Sequence, residues 1–147
     1  MKRAALVPLF ASALLACAAE TFTLSASAPF AYPAVIDQSV DRLAIVVTVT
    51  NKSADDLLVN PADFAARDQD RRIYPADPVA TVADARIVAA AARQLGMQGL
   101  LPLPVVTLRK DDVVTGFVVF DVPGGVRPTQ LIFRQSDTDR VVELSPG

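Results

Sequence analysis

The sequence predicts an antiparallel β-sandwich of about seven to eight strands that carries one inserted α-helix. Several short segments alternate apolar and polar residues with a period of two, which is typical of half-buried strands. Polar turns separate these segments, as expected where successive strands reverse direction. One alanine-rich segment, residues 81–96, instead spaces its apolar residues as a helix does.

The first strands are predicted in the segments TFTLSA and DRLAIVVTVTN. In the first segment, one face consists of Phe22, Leu24 and Ala26. The second segment is richer in β-branched residues, and one of its faces consists of Leu43, Ile45, Val47 and Val49. After a polar turn at residues 51–54, the segment DLLVN supplies a further strand, which Pro61 ends.

A hairpin is predicted in the segment DFAARDQDRRIYP. Phe64 and Ala66 precede a polar turn at residues 68–70, and Ile73 and Tyr74 follow that turn.

The C-terminal strands are predicted in PVVTL, in VVTGFVVFDVP and in two shorter segments. In VVTGFVVFDVP, Gly116 indicates a bulge or a close crossing of another segment, and one face consists of Val114, Val118, Phe120 and Val122. Leu131 and Phe133 mark the next strand, and a turn at residues 136–139 leads to the last one, residues 141–144. We expect an apolar core that includes Phe22, Ile45, Val47, Val49, Val118, Phe120, Leu131 and Phe133.

The inserted helix is predicted at residues 81–96. Thr81 and Asp84 resemble a capping box, and Gly96 supplies a C-terminal stop. The apolar stripe of this helix consists of Ile87, Val88, Ala91, Ala92 and Leu95. We expect the stripe to dock on the sandwich, because a helix this short needs tertiary contacts to persist in water. The alternative is a surface for a protein partner, formed by Ile87, Val88, Ala91 and Leu95.

Residues 1–16 are predicted to be a lipoprotein signal peptide that precedes a single domain of residues 17–147. Lys2 and Arg3 form a basic start, and an uncharged, mostly apolar run of residues 4–16 follows. The run is shorter than a membrane-spanning helix. Its end, Leu14-Leu15-Ala16-Cys17, resembles a bacterial lipobox, which implies that Cys17 is the site of lipid attachment. The alternative is ordinary secretion with cleavage after Ala18, because residues 16–18 also have the small-x-small form.

The composition argues against several classes of function. The net charge is −2 and the cations are scattered, so we expect no nucleic-acid partner. The sequence has no histidine, which removes the commonest general base and the commonest transition-metal ligand. We therefore expect no catalytic residue, no metal and no cofactor, and we expect that the protein is not an enzyme.

An acidic stretch is the one feature that resembles a ligand site, because Ca²⁺ prefers carboxylate oxygens. It consists of Asp55, Asp56, Asp63, Asp68, Asp70 and Asp77. Arginines are interleaved with these aspartates, and no calcium-binding motif organises them. We expect solvated turns with surface ion pairs here, and no metal site.

Four motifs together resemble one family. They are the lipobox, the strand segment IVVTVTNKSADDLLVNP, the hairpin that ends in RRIYP, and the late strand GFVVFDVPGG. The family is the bacterial and archaeal envelope family with an immunoglobulin-like domain of unknown function 4352, similar in fold to the mycobacterial immunogenic secreted proteins. The resemblance covers residues 43–144 and implies an immunoglobulin-like sandwich. Two departures are the turn at residues 110–112, where the family has a Pro-Gly type turn, and the inserted helix. The family brings no established catalytic residues.

The expected function is that of a lipid-anchored, non-enzymatic envelope protein whose immunoglobulin-like module binds a protein partner. The N-terminal lipid would hold it on a membrane, which would be the outer membrane in a two-membrane bacterium, because the uncharged Ala18 follows Cys17. The alternative is a secreted or periplasmic protease inhibitor, in which residues 100–104 would lie extended in a protease cleft.

Overall fold

The computed structural model describes residues 21–34, 39–135 and 138–146. The predicted signal peptide and the predicted lipid attachment site Cys17 lie outside these residues. The strands of the described part are β1 (Phe22–Ala26), β2 (Phe30–Ala31), β3 (Val40–Asn51), β4 (Leu57–Val59), β5 (Phe64–Arg67), β6 (Ile73–Pro75), β7 (Val106–Leu108), β8 (Val113–Pro123), β9 (Gln130–Gln135) and β10 (Thr138–Glu143). The helices are α1 (Pro78–Ala83), α2 (Ala85–Gln94) and a 3-10 turn (Pro61–Asp63).

The strands form two main antiparallel sheets. In the first sheet, β3 is the central strand. One edge of β3 pairs with β8, and its other edge pairs with both β1 and β2. The second sheet has the order β10-β9-β5-β6, and β4 and β7 form a separate pair. These pairings confirm the predicted antiparallel β-sandwich. The described residues contain ten strands and not seven or eight; β2, which has only two residues, lies in no predicted segment.

The main core lies between the two sheets. All eight predicted core residues are buried in it, so the predicted inward faces of β1, β3, β8 and β9 are confirmed. Phe133 is central: its ring stacks on Phe64 with 4.5 Å between centroids, and Phe22 meets it edge-on at 5.5 Å. Such aromatic pairs stabilise a core beyond the area that they bury.

A second apolar layer covers the outer face of the first sheet. Phe117 and Val119 of β8 point outward, and they pack with Ala80 of α1 and with Val88 and Ala92 of α2. Residues 116–120 of β8 are therefore all buried, because the sheet is covered on both faces there. The helices explain why this part of β8 is continuously apolar rather than alternating.

Residues 101–103, which we call the strap, run along the outer edge of β8. The N–H of Leu103 donates to the carbonyl of Phe117 at 2.9 Å, and the N–H of Phe117 donates to the carbonyl of Leu101 at 3.0 Å. The register between β3 and β8 continues without interruption through the pair Val47 and Gly116. Gly116 thus marks a close crossing and not a bulge.

No helix in the described ranges is long and apolar enough to cross a membrane.

Candidate functional site

The segment between β6 and β7 begins with two helices, so the prediction of one helix over residues 81–96 is wrong in its first part. Helix α1 begins at Pro78, after Asp77, whose carboxylate accepts a hydrogen bond from the N–H of Ala80 at 3.0 Å. Thr81 therefore lies inside α1, and its hydroxyl accepts a hydrogen bond from the N–H of Val119 in β8. Asp84 lies between the helices and makes no side-chain capping bond, so the predicted capping box is also wrong.

Helix α2 docks on the sandwich, as expected, but with only part of the predicted stripe. Val88 is 0% exposed and packs in the second apolar layer with Ala92. Ile87 is 37% exposed and Leu95 is 60% exposed. The predicted partner surface is therefore wrong for Val88, which is inaccessible. Ile87 and Ala91 of α2, and Leu95 directly after the helix, follow one another at spacings of four residues on the more accessible side.

A groove of about 580 Å³ lies between this side of α2 and the residues around β2. Ala91 and Leu95 line one wall, so two of the four predicted surface residues belong to it. The lining residues of the whole groove are Ser27, Ala28, Pro29, Phe30, Ala31, Pro33, Ala91, Gln94, Leu95, Met97 and Arg127. Most of these described residues are apolar and, among them, Arg127 is the only one with a charge, which is the composition expected of a site for a largely apolar ligand.

A cluster of four charged side chains and one tyrosine joins the two walls of the groove. Its centre is Arg42 of β3, whose Nε donates to Asp121 at 2.8 Å and whose Nη1 donates to Asp84 at 3.0 Å. Asp77 approaches the same guanidinium at 4.0 Å. Tyr32 follows β2, and its hydroxyl donates to Asp84 at 2.7 Å. Because Asp84 directly precedes α2, this bond ties the β2 wall to the helical wall.

The charges in this Arg42 cluster do not balance, since three carboxylates surround one guanidinium. Burial raises the pKa of Asp121, and the neighbouring Asp77 raises it further, against the opposing effect of Arg42. The N–H of Ala80 is the main cause that lowers the pKa of Asp77. Burial and the bond to Asp84 raise the pKa of Tyr32, which therefore keeps its proton and acts as a donor. All these groups bond to one another, so we infer that the cluster holds the two walls of the groove in place.

Two aspartates of the predicted acidic stretch, Asp68 and Asp77, serve local structure. The Oδ1 atom of Asp68 accepts from the N–H groups of Asp70 and Arg72, and its Oδ2 atom accepts from the Tyr74 hydroxyl at 2.7 Å. Although burial opposes the shift, these bonds lower the pKa of Asp68. Asp77 caps α1 instead of joining Asp68. Within the described residues, no group of three or more histidine, cysteine or acidic side chains is arranged to hold a metal ion.

A second cavity, of about 440 Å³, lies at the start of β1 and has a mostly polar lining that includes Thr21, Asn51 and Ser53. The buried Asn51 amide donates to the carbonyls of Asp55 and Leu108, and its oxygen accepts from the N–H of Ser53. These bonds hold the turns after β3 and β7. The groove beside α2 is the better candidate site because its exposed surface is apolar.

The segment considered for protease inhibition, residues 100–104, contains the strap and is held against β8 by the strap's hydrogen bonds to Phe117. The Leu101 side chain is 69% exposed, but the carbonyl of Leu101 and the N–H of Leu103 already bond to Phe117. Pro102 and Pro104 have no N–H to offer to a protease strand. The geometry therefore favours a structural role for this segment.

The comparisons with known proteins agree with the fold. The family model described as domain of unknown function (DUF4352) matches residues 30–140. No curated protein matches the chain. Among solved structures, the chain is similar to MPT63, a secreted protein from Mycobacterium tuberculosis, with 18% identity, a TM-score of 0.56, and coverage of 83% of this chain and 82% of that one.

Two proteins of Bacillus subtilis are also similar in structure. One is described as a candidate lipoprotein, ycdA, with 17% identity and a TM-score of 0.52; the match covers 84% of this chain but 37% of that one. The other is the yjhA protein, with 16% identity, a TM-score of 0.50, and coverage of 85% and 92%. At such identities the likeness shows the fold alone. Because the family match extends over most of the sequence and these neighbours share the immunoglobulin-like β-sandwich, the chain belongs to the DUF4352 family.

Proposed function

We propose that this protein is a lipid-anchored, non-enzymatic envelope protein whose immunoglobulin-like domain holds a protein partner in the groove beside α2. The observation that carries the proposal is the exposed apolar wall of this groove. Leu95 lines this wall and is 60% exposed, although burying such a side chain would be favourable. An exposed apolar surface with a polar rim is typical of a protein interaction site.

The proposed location in the envelope rests on the lipobox that ends at Cys17. A secreted protein and a candidate lipoprotein among the structural neighbours support this location. Cys17 comes only five residues before Phe22, the first residue of β1. The groove adjoins the other end of β1, about 15 Å away at ~3.3 Å per residue. The proposal places the lipid before the start of β1 and the partner near the other end of this strand.

The anchor is tested by metabolic labelling with a fatty acid. We expect the wild type to carry the label and to sediment with membranes, and the variant Cys17→Ser to lose both properties. If the serine variant remains labelled, Cys17 is not the attachment site, and ordinary secretion becomes the better description.

The partner site is tested by photo-cross-linking in living cells. A photo-reactive side chain is placed at Leu95, which lines the groove. In the matched control it is placed at Arg93. At 100° per residue, Arg93 lies roughly 200° around the helix axis from the groove residue Ala91. We expect a cross-linked product from position 95 that position 93 does not give. The absence of such a product, or the same product from both positions, would contradict the proposal.

A further inference from the structure

β10 forms an open edge of the second sheet. Within the described residues, β9 is the only strand that pairs with it. The N–H of Leu144 donates to the carbonyl of Thr129, and in this register the even-numbered residues of β10 exchange their hydrogen bonds with β9. The N–H and carbonyl groups of Asp139, Val141 and Glu143 therefore point away from the sheet. No described residue bonds to these backbone groups.

Other strand edges in the described part of the chain are short and interrupted by proline. β2 has two residues and lies between Pro29 and Pro33, and β6 has three residues and ends at Pro75. Proline has no backbone N–H, so it cannot complete a ladder of hydrogen bonds. β10 has six residues, and none of them is proline. Its backbone therefore suits the addition of a further strand.

β1 of the first sheet approaches β10 without pairing with it. The contact is made by the side chain of Arg140, whose Nη1 donates to the carbonyl of Phe22 at 2.9 Å. The same guanidinium lies 4.2 Å from the centre of the Phe22 ring. Arg140 shares the inward face of β10 with Leu144, which is buried in the main core. This contact therefore leaves the outward backbone groups of β10 unbonded.

The side chains on the outer face of β10 alternate in chemistry. They are Asp139, Val141 and Glu143, and all three are exposed. Arg134 of β9 lies opposite Asp139, but no ion pair joins them among the described residues. Glu143 accepts a hydrogen bond from the amide of Gln130. A strand added to this edge would meet a carboxylate, an apolar side chain and a second carboxylate in turn.

A second copy of this chain is a poor occupant of the edge. If two β10 strands paired antiparallel about Val141, Asp139 of each copy would lie directly opposite Glu143 of the other. Like charges in directly opposite positions destabilise a strand pair. The same two carboxylates favour a different strand that places basic residues opposite them.

We propose that the outward edge of β10 binds an extended segment of another protein, with basic residues opposite Asp139 and Glu143 and a β-branched residue opposite Val141. Residues on one face of a strand are two positions apart, so the segment has the pattern basic-x-apolar-x-basic. Its backbone would bond to β10 as an antiparallel strand, and the carboxylates would select its sequence. No residue of β10 lines the groove beside α2, so this surface is separate from the proposed partner site.

The probes for the test are two synthetic extended peptides. In one peptide, threonines alternate with lysine, valine and lysine, and in the other glutamates replace the lysines. Fluorescence anisotropy measures binding to the full protein as cells produce it, held in lipid nanodiscs if it carries the anchor. We expect the lysine peptide to bind about fivefold tighter or more, since exposed charge pairs contribute modestly.

Methylation of a peptide nitrogen shows whether the lysine peptide binds as a strand. An N-methyl group on its central valine removes a donor that faces β10 and should weaken binding about tenfold or more. The matched control carries the N-methyl group on the next threonine, whose N–H faces away from β10, and should bind about as well as the parent peptide.

Two variants of the protein test the same edge. Val141→Pro removes an outward N–H without removing a bond to β9, so it should abolish binding of the lysine peptide. Asp139→Lys should reduce the preference for the lysine peptide, because it replaces one of the selecting carboxylates. Circular dichroism melting of both variants checks that the fold is retained.

Three outcomes would overturn the inference. They are no binding of the lysine peptide, equal binding of the two methylated peptides, and an unchanged preference in Asp139→Lys. None of these experiments alters α2, so cross-linking from position 95 tests the proposed function separately. Light scattering that shows a dimer of the wild type and a monomer of Val141→Pro would also overturn the inference, because the occupant would then be a second copy of this chain.

Discussion

Gly116 of β8 and Leu103 of the strap are in backbone contact. A Cβ atom on Gly116 would lie 2.5 Å from the Cα atom and 2.6 Å from the nitrogen of Leu103. No side chain fits there, so Gly116→Ala must push the strap away from Phe117 or distort β8. We expect this variant to lose about 1–3 kcal/mol of unfolding free energy, as overpacking does. Urea denaturation measures the loss.

The matched control for Gly116→Ala is Val113→Thr in the same strand. Val113 is 58% exposed, and threonine keeps the β-branched shape. We expect this control to stay within about 0.5 kcal/mol of the wild type. Equal stability of Gly116→Ala and the control would show that the crossing is looser than described.

Phe120 tests the main core. Its side chain is completely buried between the two sheets. We expect Phe120→Ala to cost roughly 3–5 kcal/mol, which is enough to unfold a domain of ordinary stability. Phe120→Leu, which leaves a smaller cavity, should cost less in the same thermal or urea experiment. A loss below about 1 kcal/mol in the alanine variant would place Phe120 outside the core.

Two neighbouring residues of α2 separate docking from partner binding. Val88→Asp places an unpaired charge in the second apolar layer and should lower the melting temperature strongly. Ile87→Asp changes a residue that is partly in water, so it should leave the melting temperature nearly unchanged. Differential scanning fluorimetry of both variants provides the comparison. A similar loss in the two variants would mean that Ile87 also holds α2 on the sheet.

The Arg42 cluster predicts a specific dependence of stability on pH. The folded pKa of Asp121 is raised, so ionising this carboxyl is harder in the folded chain than in the unfolded chain. Its contribution to stability therefore decreases as the pH rises from near 4 through the folded pKa. Asp77 has the opposite sign: its lowered pKa gives stability above the unfolded pKa that is lost as the pH falls.

Melting temperatures of Asp121→Asn at pH 4.5 and pH 7 test this dependence. The asparagine does not ionise. We therefore expect the difference in melting temperature between the variant and the wild type to shift in favour of the variant when the pH is raised from 4.5 to 7. Asp139→Asn, which removes an exposed carboxylate of β10, is the control and should follow the wild type. If Asp121→Asn follows the wild type as well, the raised pKa of Asp121 is wrong.

The longest strands could be predicted because part of each one carries a local periodic pattern. Ile45, Val47 and Val49 alternate with the less buried Val46, Thr48 and Thr50, and this pattern needs no knowledge of the partner strand. The predicted C-terminal stop of the inserted helix was correct for the same local reason, since Gly96 adopts φ +87° just after α2. Its start was wrong, although Asp77 followed by Pro78 is a recognisable helix beginning.

The candidate site could be predicted only in part. Ala91 and Leu95 follow from the helical stripe, but the opposite wall has prolines and no periodic pattern. The Arg42 cluster depends on the register of β3 and β8, which places Arg42 directly opposite Asp121, 79 positions away along the chain. No local signal connects such residues, because the bond exists only after the strands have paired.

The outward backbone groups at the centre of β8 have a consequence for solubility. The N–H and carbonyl of Phe117 bond to the strap, the N–H of Val119 donates to Thr81, and the carbonyl of Val119 accepts from the N–H of Asp77. An uncovered strand as apolar as β8 is a template on which other chains add as strands. The helical insertion thus closes an edge at which copies of this domain would otherwise aggregate, and a chain shortened by residues 77–103 would form intermolecular sheets.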